Sequence, residues 1–386
     1  MRHVVHVLTV PDSLVFLRGQ VDYMRDRGWR TTVITSPGPA LDAFGARHGV
    51  ATHAISMPRR VSPVDDARSL ASLTRLLRDL APDLVHSHTP KGGLLGTIAA
   101  TLARVPARVY HMRGLPLATA TGNQRRILTA TERTSCALAS TVLAVSPSLR
   151  SEALRERLCP ARKIRVLGKG SGNGVDSDGR FDPDRLPVDA RARFRRDLGI
   201  AESAPVIGFL GRLVGDKGVV ELAEAWRRLR DEHPAARLLL GGVFEERDAI
   251  DPATRASLER DDRVHVLGFV TDTPTFYAGI DVLTLPTYRE GFPNVPLEAA
   301  AMRVPVVGTS VTGCIDAVVD GVTGRLVPVR DARALAEALG GYLASPALRA
   351  EHGAAGRERV RRDFQSETLW RLLADVYEEL SPSPRN

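Results

Sequence analysis

A chain of 386 residues, 43% hydrophobic and 25% charged, has enough apolar material for two globular domains of ordinary size, each with its own core. No run of eighteen apolar residues occurs, which excludes a membrane-spanning helix, and the first residues, Arg2 to Val10, read as a strand with no cleavage site behind it, so a cytoplasmic location is expected. The formal net charge of +8 admits an anionic membrane surface or anionic substrate as partner, with an Arg-biased composition as the alternative cause, while 5% aromatic residues and no basic segment interleaved with them put nucleic acid last.

Val4 to Val10 opens an alternation of strand, loop and helix. An amphipathic run from Leu14 to Arg27, closed by Gly28, precedes a second strand, Arg30 to Thr35, which stops at Ser36-Pro37-Gly38-Pro39. Strands are predicted at 50–57, 83–88, 108–112 and 141–145, with helices near 65–80, 93–104, 123–138 and 147–157; such βα alternation implies a parallel sheet covered on both faces. After a strand at 163–167 the rhythm breaks in Gly168-Lys169-Gly170-Ser171-Gly172-Asn173-Gly174, a hinge-like stretch. A second βα series starts at 205–211, with strands near 237–241, 263–266, 281–285, 304–308 and 324–327. A last helix, 364–380, carries Leu369, Leu372, Leu373, Val376 and Leu380 at helical spacing. The expected fold is α/β: two Rossmann-like doubly wound domains, 1–170 and 171–362, and a terminal helix in 363–386.

Two stretches of the second half carry chemistry. Arg289-Glu290-Gly291-Phe292-Pro293-Asn294-Val295-Pro296-Leu297-Glu298 holds two carboxylates eight positions apart. Pro293 and Pro296 keep its first part out of helix, so a helix is predicted from Pro296 to Met302 with Glu298 in the first turn, beside unpaired backbone N–H groups. Those amides and the amides of Gly291 to Val295 form a donor-rich concavity for an anion or sugar hydroxyls. The other stretch, Gly211-Arg212-Leu213-Val214-Gly215-Asp216-Lys217-Gly218, follows a strand directly; Arg212 and Lys217 on a glycine-bearing loop suit a diphosphate. It is no kinase-type P-loop, because Gly-Lys-Ser/Thr is missing.

In the first half, Asp83 to Gly92 ends a strand in a polar loop bearing His88 and Lys91, and Tyr110-His111-Met112-Arg113-Gly114 does the same for Arg113. Asp176-Ser177-Asp178 has the spacing of a metal-binding pair but sits among glycines and reads as a turn. Cys136, Cys159 and Cys314 stand in no ligand spacing, so reduced thiols and no metal are expected.

Glu290, seven residues and Glu298, with Gly291-Phe292-Pro293 between them, resemble the signature of the retaining sugar transferases of glycosyltransferase family four. Gly211-Arg212-Leu213 with Lys217-Gly218 resembles that family's Gly-Arg-Leu-x-x-x-Lys-Gly. The resemblance is strong in the second half and looser in the first. It implies the GT-B architecture: an acceptor domain, a donor domain, a cleft between them, and a last helix that crosses back to the first domain. It also implies that Arg212 and Lys217 hold the donor diphosphate, that Glu298 binds the ribose hydroxyls, and that Glu290 with Gly291 to Asn294 contacts the donor sugar. The base falls near 265–270, with uridine expected from family frequency, and no metal or other cofactor is needed. Retention through front-face attack is the family's usual proposal, and covalent action by Glu290 stays open. Arg212, Lys217, Glu290 and Glu298 are expected to converge on one wall of the cleft.

Many members carry His-Gly where Arg113-Gly114 stands, which removes the usual histidine and leaves Arg113 able to meet an acceptor phosphate. With His86-Ser87-His88-Thr89-Pro90-Lys91 and Leu17-Arg18-Gly19-Gln20, this is similar to a subset that assembles capsule and O-antigen units. The expected acceptor is a polyprenyl-diphosphate-linked sugar, met at the inner face of the plasma membrane through Arg59-Arg60 and Arg125-Arg126. Alternatives are tailoring of a soluble secondary metabolite, a sugar-nucleotide epimerase on the same scaffold and, from another class, a two-lobed transport binding protein. The paired cation and carboxylate signatures and the missing export signal count against the last.

Overall fold

The strands that open the chain are apolar on both faces, as a parallel sheet with helices on either side requires: Val4, Val5 and Val7 of β1 (Arg2–Val7) and Val33 and Ile34 of β2 (Trp29–Thr35) are wholly buried. In a computed structural model, which describes all residues except 59, 61, 247 and 382–386, they join β3 (Ala51–Ala54), β4 (Leu84–His88), β5 (Ala107–Met112), β6 (Thr141–Ala144) and β7 (Ile164–Arg165). The result is a seven-stranded parallel sheet of order β3-β2-β1-β4-β5-β6-β7.

A second parallel sheet of six strands has the order β10-β9-β8-β11-β12-β13, from β8 (Val206–Leu210), β9 (Arg237–Gly241), β10 (Val264–Gly268), β11 (Val282–Leu285), β12 (Val306–Thr309) and β13 (Gly324–Val327). In each sheet the chain runs outward from one strand and returns to that strand's other side. The reversals lie at β1/β4 and β8/β11, the places where doubly wound sheets bind ligands. The expected fold class, two Rossmann-like α/β domains, is the one observed.

Two compact units contain these sheets: Met1–Gly174 with the segment from Ser366 onward, and Val175–Gln365. The last helix, Ser366–Leu380, is part of the first unit's core, where Leu373, Ala374 and Tyr377 cluster with Val4, Met24, Trp29, Leu84 and Val109. The second unit packs Phe209, Trp226, Leu238, Leu240, Leu339 and Tyr342 around its own sheet.

Three local expectations are corrected. The run 14–27 is not one helix: a 3-10 turn, Pro11–Leu17, and a helix, Gln20–Asp26, are separated at Gly19, whose φ is 71° and where a Cβ would lie 2.3 Å from the Trp370 ring. Docking of the last helix thus overrides an amphipathic period. The helix expected from Pro296 is Asn294–Ala301, so Pro296 is its third residue, where the missing N–H has no intrahelical partner to lose. Glu298 consequently lies in the second turn. Strands expected at 50–57 and 163–167 shrink to β3 and β7, the edges of the sheet, where short strands resist unwanted pairing. The strand stop expected at Ser36-Pro37-Gly38-Pro39 holds, since β2 ends at Thr35, and Pro39 also opens a helix not foreseen, Pro39–His48.

Candidate active site

β8 runs into the loop that carries Arg212, Asp216 and Lys217; Gly215–Lys217 makes one 3-10 turn and a helix, Val219–Glu232, starts after Gly218. Neighbours on both sides hold this loop. The segment after β9 is joined to it through the backbone: the Leu213 N–H donates to Val243 O (2.9 Å), the Gly215 N–H to Asp248 O (2.9 Å), and the Asp216 N–H to Asp248 Oδ2 (2.6 Å). The segment after β11 meets it through the Tyr288 N–H, which donates to Asp216 O at 2.9 Å. Gly218, at φ 70°, approaches Pro286 so closely that a Cβ would fall 2.0 Å from the Pro286 carbonyl oxygen, so only glycine fits.

That approach brings the two signature stretches together. Lys217 Nζ donates to Glu290 Oε1 at 2.5 Å, across 73 positions of sequence, and both side chains are mostly buried. Arg212 reaches the same loop network from the solvent side: its Nη1 donates to Glu245 Oε2 at 3.1 Å and its Nη2 lies 3.8 Å from Asp216 Oδ1. Asp216 Oδ2 accepts from Arg289 Nη2 at 3.2 Å. The charged groups thus form a chain, Glu245 to Arg212 to Asp216 to Arg289, beside the pair of Lys217 and Glu290.

Behind Glu290, buried Phe292 packs on Phe364 with ring centroids 5.5 Å apart, and Pro293 is buried beside it. Gly291 is covered by Gly313, where a Cβ would sit 2.4 Å from the Gly291 carbonyl oxygen. Asn294 begins the helix that ends at Ala301. Glu298, on that helix, accepts from the Tyr277 hydroxyl through Oε2 at 2.9 Å. Burial, reinforced by Glu298, raises the Tyr277 phenol well above its usual range, so it stays a donor. Of the site residues expected from sequence, Lys217 and Glu290 touch, Arg212 is linked through Asp216 to Arg289, the residue before Glu290, and Glu298 is held by Tyr277. Asp216, Glu245, Tyr277 and Arg289 were not foreseen as members. Asp216 and Arg289 lie inside the signature strings, where their spacing was the available signal; Glu245 and Tyr277 carry none.

In the first unit, His86 and His88 alternate on β4 and so share a face, with His6 of β1 in register with His86 and His111 of β5 in register with His88. All four are buried, and their rings stack, those of His86 and His88 at 4.0 Å. Arg113 fixes the tautomers of His88 and His6. A guanidinium only donates, so His88 Nδ1, 3.1 Å from Arg113 Nη2, accepts, and His88 carries its proton on Nε2. That proton goes to His6 Nδ1 at 2.9 Å and leaves the proton of His6 on Nε2, a buried atom with no hydrogen-bond partner. Tyr377 pairs with His86 Nδ1 (2.5 Å), whose Nε2 lies 3.2 Å from His111 Nδ1.

Burial lowers the pKa of each imidazole, His6 to about 3, and that of Arg113 to about 9, so at neutral pH the histidines are uncharged and Arg113 is not. Among the described residues Arg113 pairs with no carboxylate; it donates to Gly172 O (2.7 Å) and lies over the Phe16 ring. His6, His86 and His88 offer nitrogens within 4.8 Å of one another, close enough to consider a metal ion. Four-coordinate zinc needs nitrogens about 3.3 Å apart, closer than the 4.8 Å within which this group lies, and the Arg113 guanidinium opposes a second cation, so the arrangement favours a hydrogen-bonded stack. Lys91 is engaged elsewhere, by Asp66 Oδ1 (2.6 Å) and the carbonyls of Pro58 and Arg60. Asp176 closes a turn, accepting the Arg180 N–H on Oδ2 at 2.9 Å, as expected.

The family profile "Glycosyl transferases group 1" matches residues 204–345, the part that carries both signature stretches, and the "Glycosyl transferase 4-like domain" profile matches 14–170. The capsular polysaccharide biosynthesis glycosyltransferase CapM of Staphylococcus aureus is 34% identical over 374 residues, 97% of this chain and 96% of that one. The chain belongs to the group 1, family-four glycosyltransferases. Within this family it is also 26% identical to the UDP-Gal:alpha-D-GlcNAc-diphosphoundecaprenol alpha-1,3-galactosyltransferase of Escherichia coli, over 73% of this chain and 71% of the relative. The family fold is shared with Anabaena Alr3699/HepE in complex with UDP-glucose, at TM-score 0.82 and 21% identity over 98% of this chain and all of that one.

Proposed function

We propose that the chain is a retaining, metal-independent glycosyltransferase that moves a sugar from a nucleoside diphosphate, uridine diphosphate first, to a polyprenyl-diphosphate-linked sugar in the assembly of a cell-surface polysaccharide. The observation that carries the reading is the contact of Lys217 with Glu290, a diphosphate cation beside a sugar-binding carboxylate. CapM and the galactosyltransferase of diphosphoundecaprenol, by their names, and the UDP-glucose complex of a fold relative support the choice of substrates.

In this reading Arg212 and Lys217 neutralise the diphosphate as it leaves the anomeric carbon, and Gly211 lets it approach the backbone. Glu290 and the backbone of Gly291 to Asn294 take the hydroxyls of the donor sugar, while Phe292 and Pro293 hold that loop in shape. Glu298, oriented by Tyr277, accepts both ribose hydroxyls. On the first unit, Arg113 meets the acceptor and faces its phosphate; His88, expected beside it, is buried with both ring nitrogens engaged and orients the guanidinium instead, and Lys91 steadies the loop through Asp66. The enzyme works at the cytoplasmic face of the plasma membrane. Arg126 is exposed there for an anionic surface, Arg125 is already paired with Glu156 at 2.7 Å, and Arg59 lies outside the described residues.

The test is incubation of the purified chain with a panel of nucleotide sugars, a chelator and a polyprenyl-diphosphate-linked N-acetylhexosamine. Transfer with retained anomeric configuration supports the proposal. Conversion of the sugar nucleotide without acceptor would mark an epimerase, and transfer to a soluble aglycone by a chain that ignores anionic vesicles would mark a tailoring enzyme.

A further inference from the structure

Glu245 brings negative charge to a loop that, in the proposed function, must receive a diphosphate. It is the nearer of the two carboxylates on Arg212, at 3.1 Å against 3.8 Å for Asp216. Backbone and ring packing put it there. Gly242, just after β9, lies against Gly211, where a Cβ would be 1.8 Å from the Gly211 carbonyl oxygen. The Leu213 N–H donates to Val243 O at 2.9 Å, Leu213 bridges to Phe244, and Arg255 covers the Phe244 ring at 4.5 Å. Those contacts end one residue before Glu245. The carboxylate is therefore delivered to the guanidinium by the fold of the loop and would stay close to it if its charge were removed.

The pair itself is weak, because Arg212 is 43% and Glu245 29% exposed. A diphosphate carries more charge than a carboxylate and takes an arginine fork through two parallel N–H bonds, which Arg212 can offer in full only once Nη1 is released. Resting on the donor-site reading, we propose that Glu245 is a resident competitor of the donor diphosphate for Arg212, displaced as the nucleotide arrives and returning to the guanidinium as the nucleoside diphosphate product leaves. Glu290 differs, since its carboxylate, paired with Lys217, belongs to the sugar side of the site.

Calorimetric titration of uridine diphosphate into the full chain tests this with four proteins: wild type, Glu245→Gln, Arg212→Ala and the double variant, each first shown by thermal melting to be folded. Glu245→Gln is expected to bind about fivefold tighter than wild type, the scale of one exposed ion pair, and to turn over more slowly at saturating donor because product departs more slowly. In the Arg212→Ala background the same substitution is expected to change affinity by less than about twofold. The proposal is overturned if Glu245→Gln binds equally or more weakly, which would make Glu245 a strut that orients Arg212, or if the gain persists without Arg212. Failure of wild type to bind the nucleotide while keeping its fold would instead remove the donor-site reading, and this inference with it.

Discussion

Lys217 and Glu290 can be tested one at a time. Lys217→Ala should lower kcat/KM by about a hundredfold or more, the usual loss of about 2.7–4 kcal/mol for one donor to a developing anion, and should also lower the melting temperature, because it leaves the mostly buried Glu290 carboxylate without its partner. Steady-state kinetics alongside a melt checks both parts. The histidine stack predicts a pH effect of definite sign. His6, His86, His88 and His111 have lowered pKa values in the folded chain, so below the ordinary value near 6.5 the unfolded chain takes up protons that the folded one refuses. Stability is complete above that pH and is lost as pH falls, by up to about 1.4 kcal/mol per pH unit for each imidazole. Glu132, whose carboxyl burial raises to about 7, acts in the opposite sense between pH 4.5 and 7, but as one group against four. Melts from pH 7.5 to 5 should show a falling Tm, less steep in His86→Gln. The loop strings made Lys217 and Glu290 legible in sequence because motif and chemistry coincide. The stack was not, since it needs β1, β4 and β5 to be adjacent and in register, and the spacing of His86 and His88 alone does not bring in His6 or His111.

Strands apolar on both faces were legible as buried parallel strands, and their ends were lost only at the edges, where β3 and β7 stop early. Helices proved harder wherever a distant side chain intervenes. Gly19 looks like an ordinary residue of an amphipathic run until Trp370 of the last helix is packed against it. Gly19→Ala should therefore destabilise the first unit by more than the roughly 1 kcal/mol of a strained positive φ, and Trp370→Leu should relieve the excess; a double-mutant cycle by denaturant unfolding measures it. Tyr377→Phe, which removes the hydroxyl from His86, should cost about 1 kcal/mol. Asn294–Ala301 teaches the same point on a smaller scale: proline at its third position is as acceptable as at its first, so sequence could not choose the start that decides the turn of Glu298.

At the scale of the whole molecule, the chain leaves its first unit at Gly174 and returns to it at Ser366, so the last helix completes a core begun at Val4. Removal of the segment from Ser366 should lower the melting of the first unit and leave the uridine diphosphate binding proposed for Val175–Gln365 unchanged, as calorimetry with and without the nucleotide would show. The doubly wound class was legible from βα alternation, and the family from two strings of a dozen residues or fewer. The measurement that bears most directly on the account is titration of uridine diphosphate, in the presence of a chelator, into wild type and Lys217→Ala. Binding by wild type without metal and a loss of about a hundredfold in the variant is the predicted result; equal binding by the two would contradict the claim that Lys217, beside Glu290, holds the diphosphate of a sugar donor.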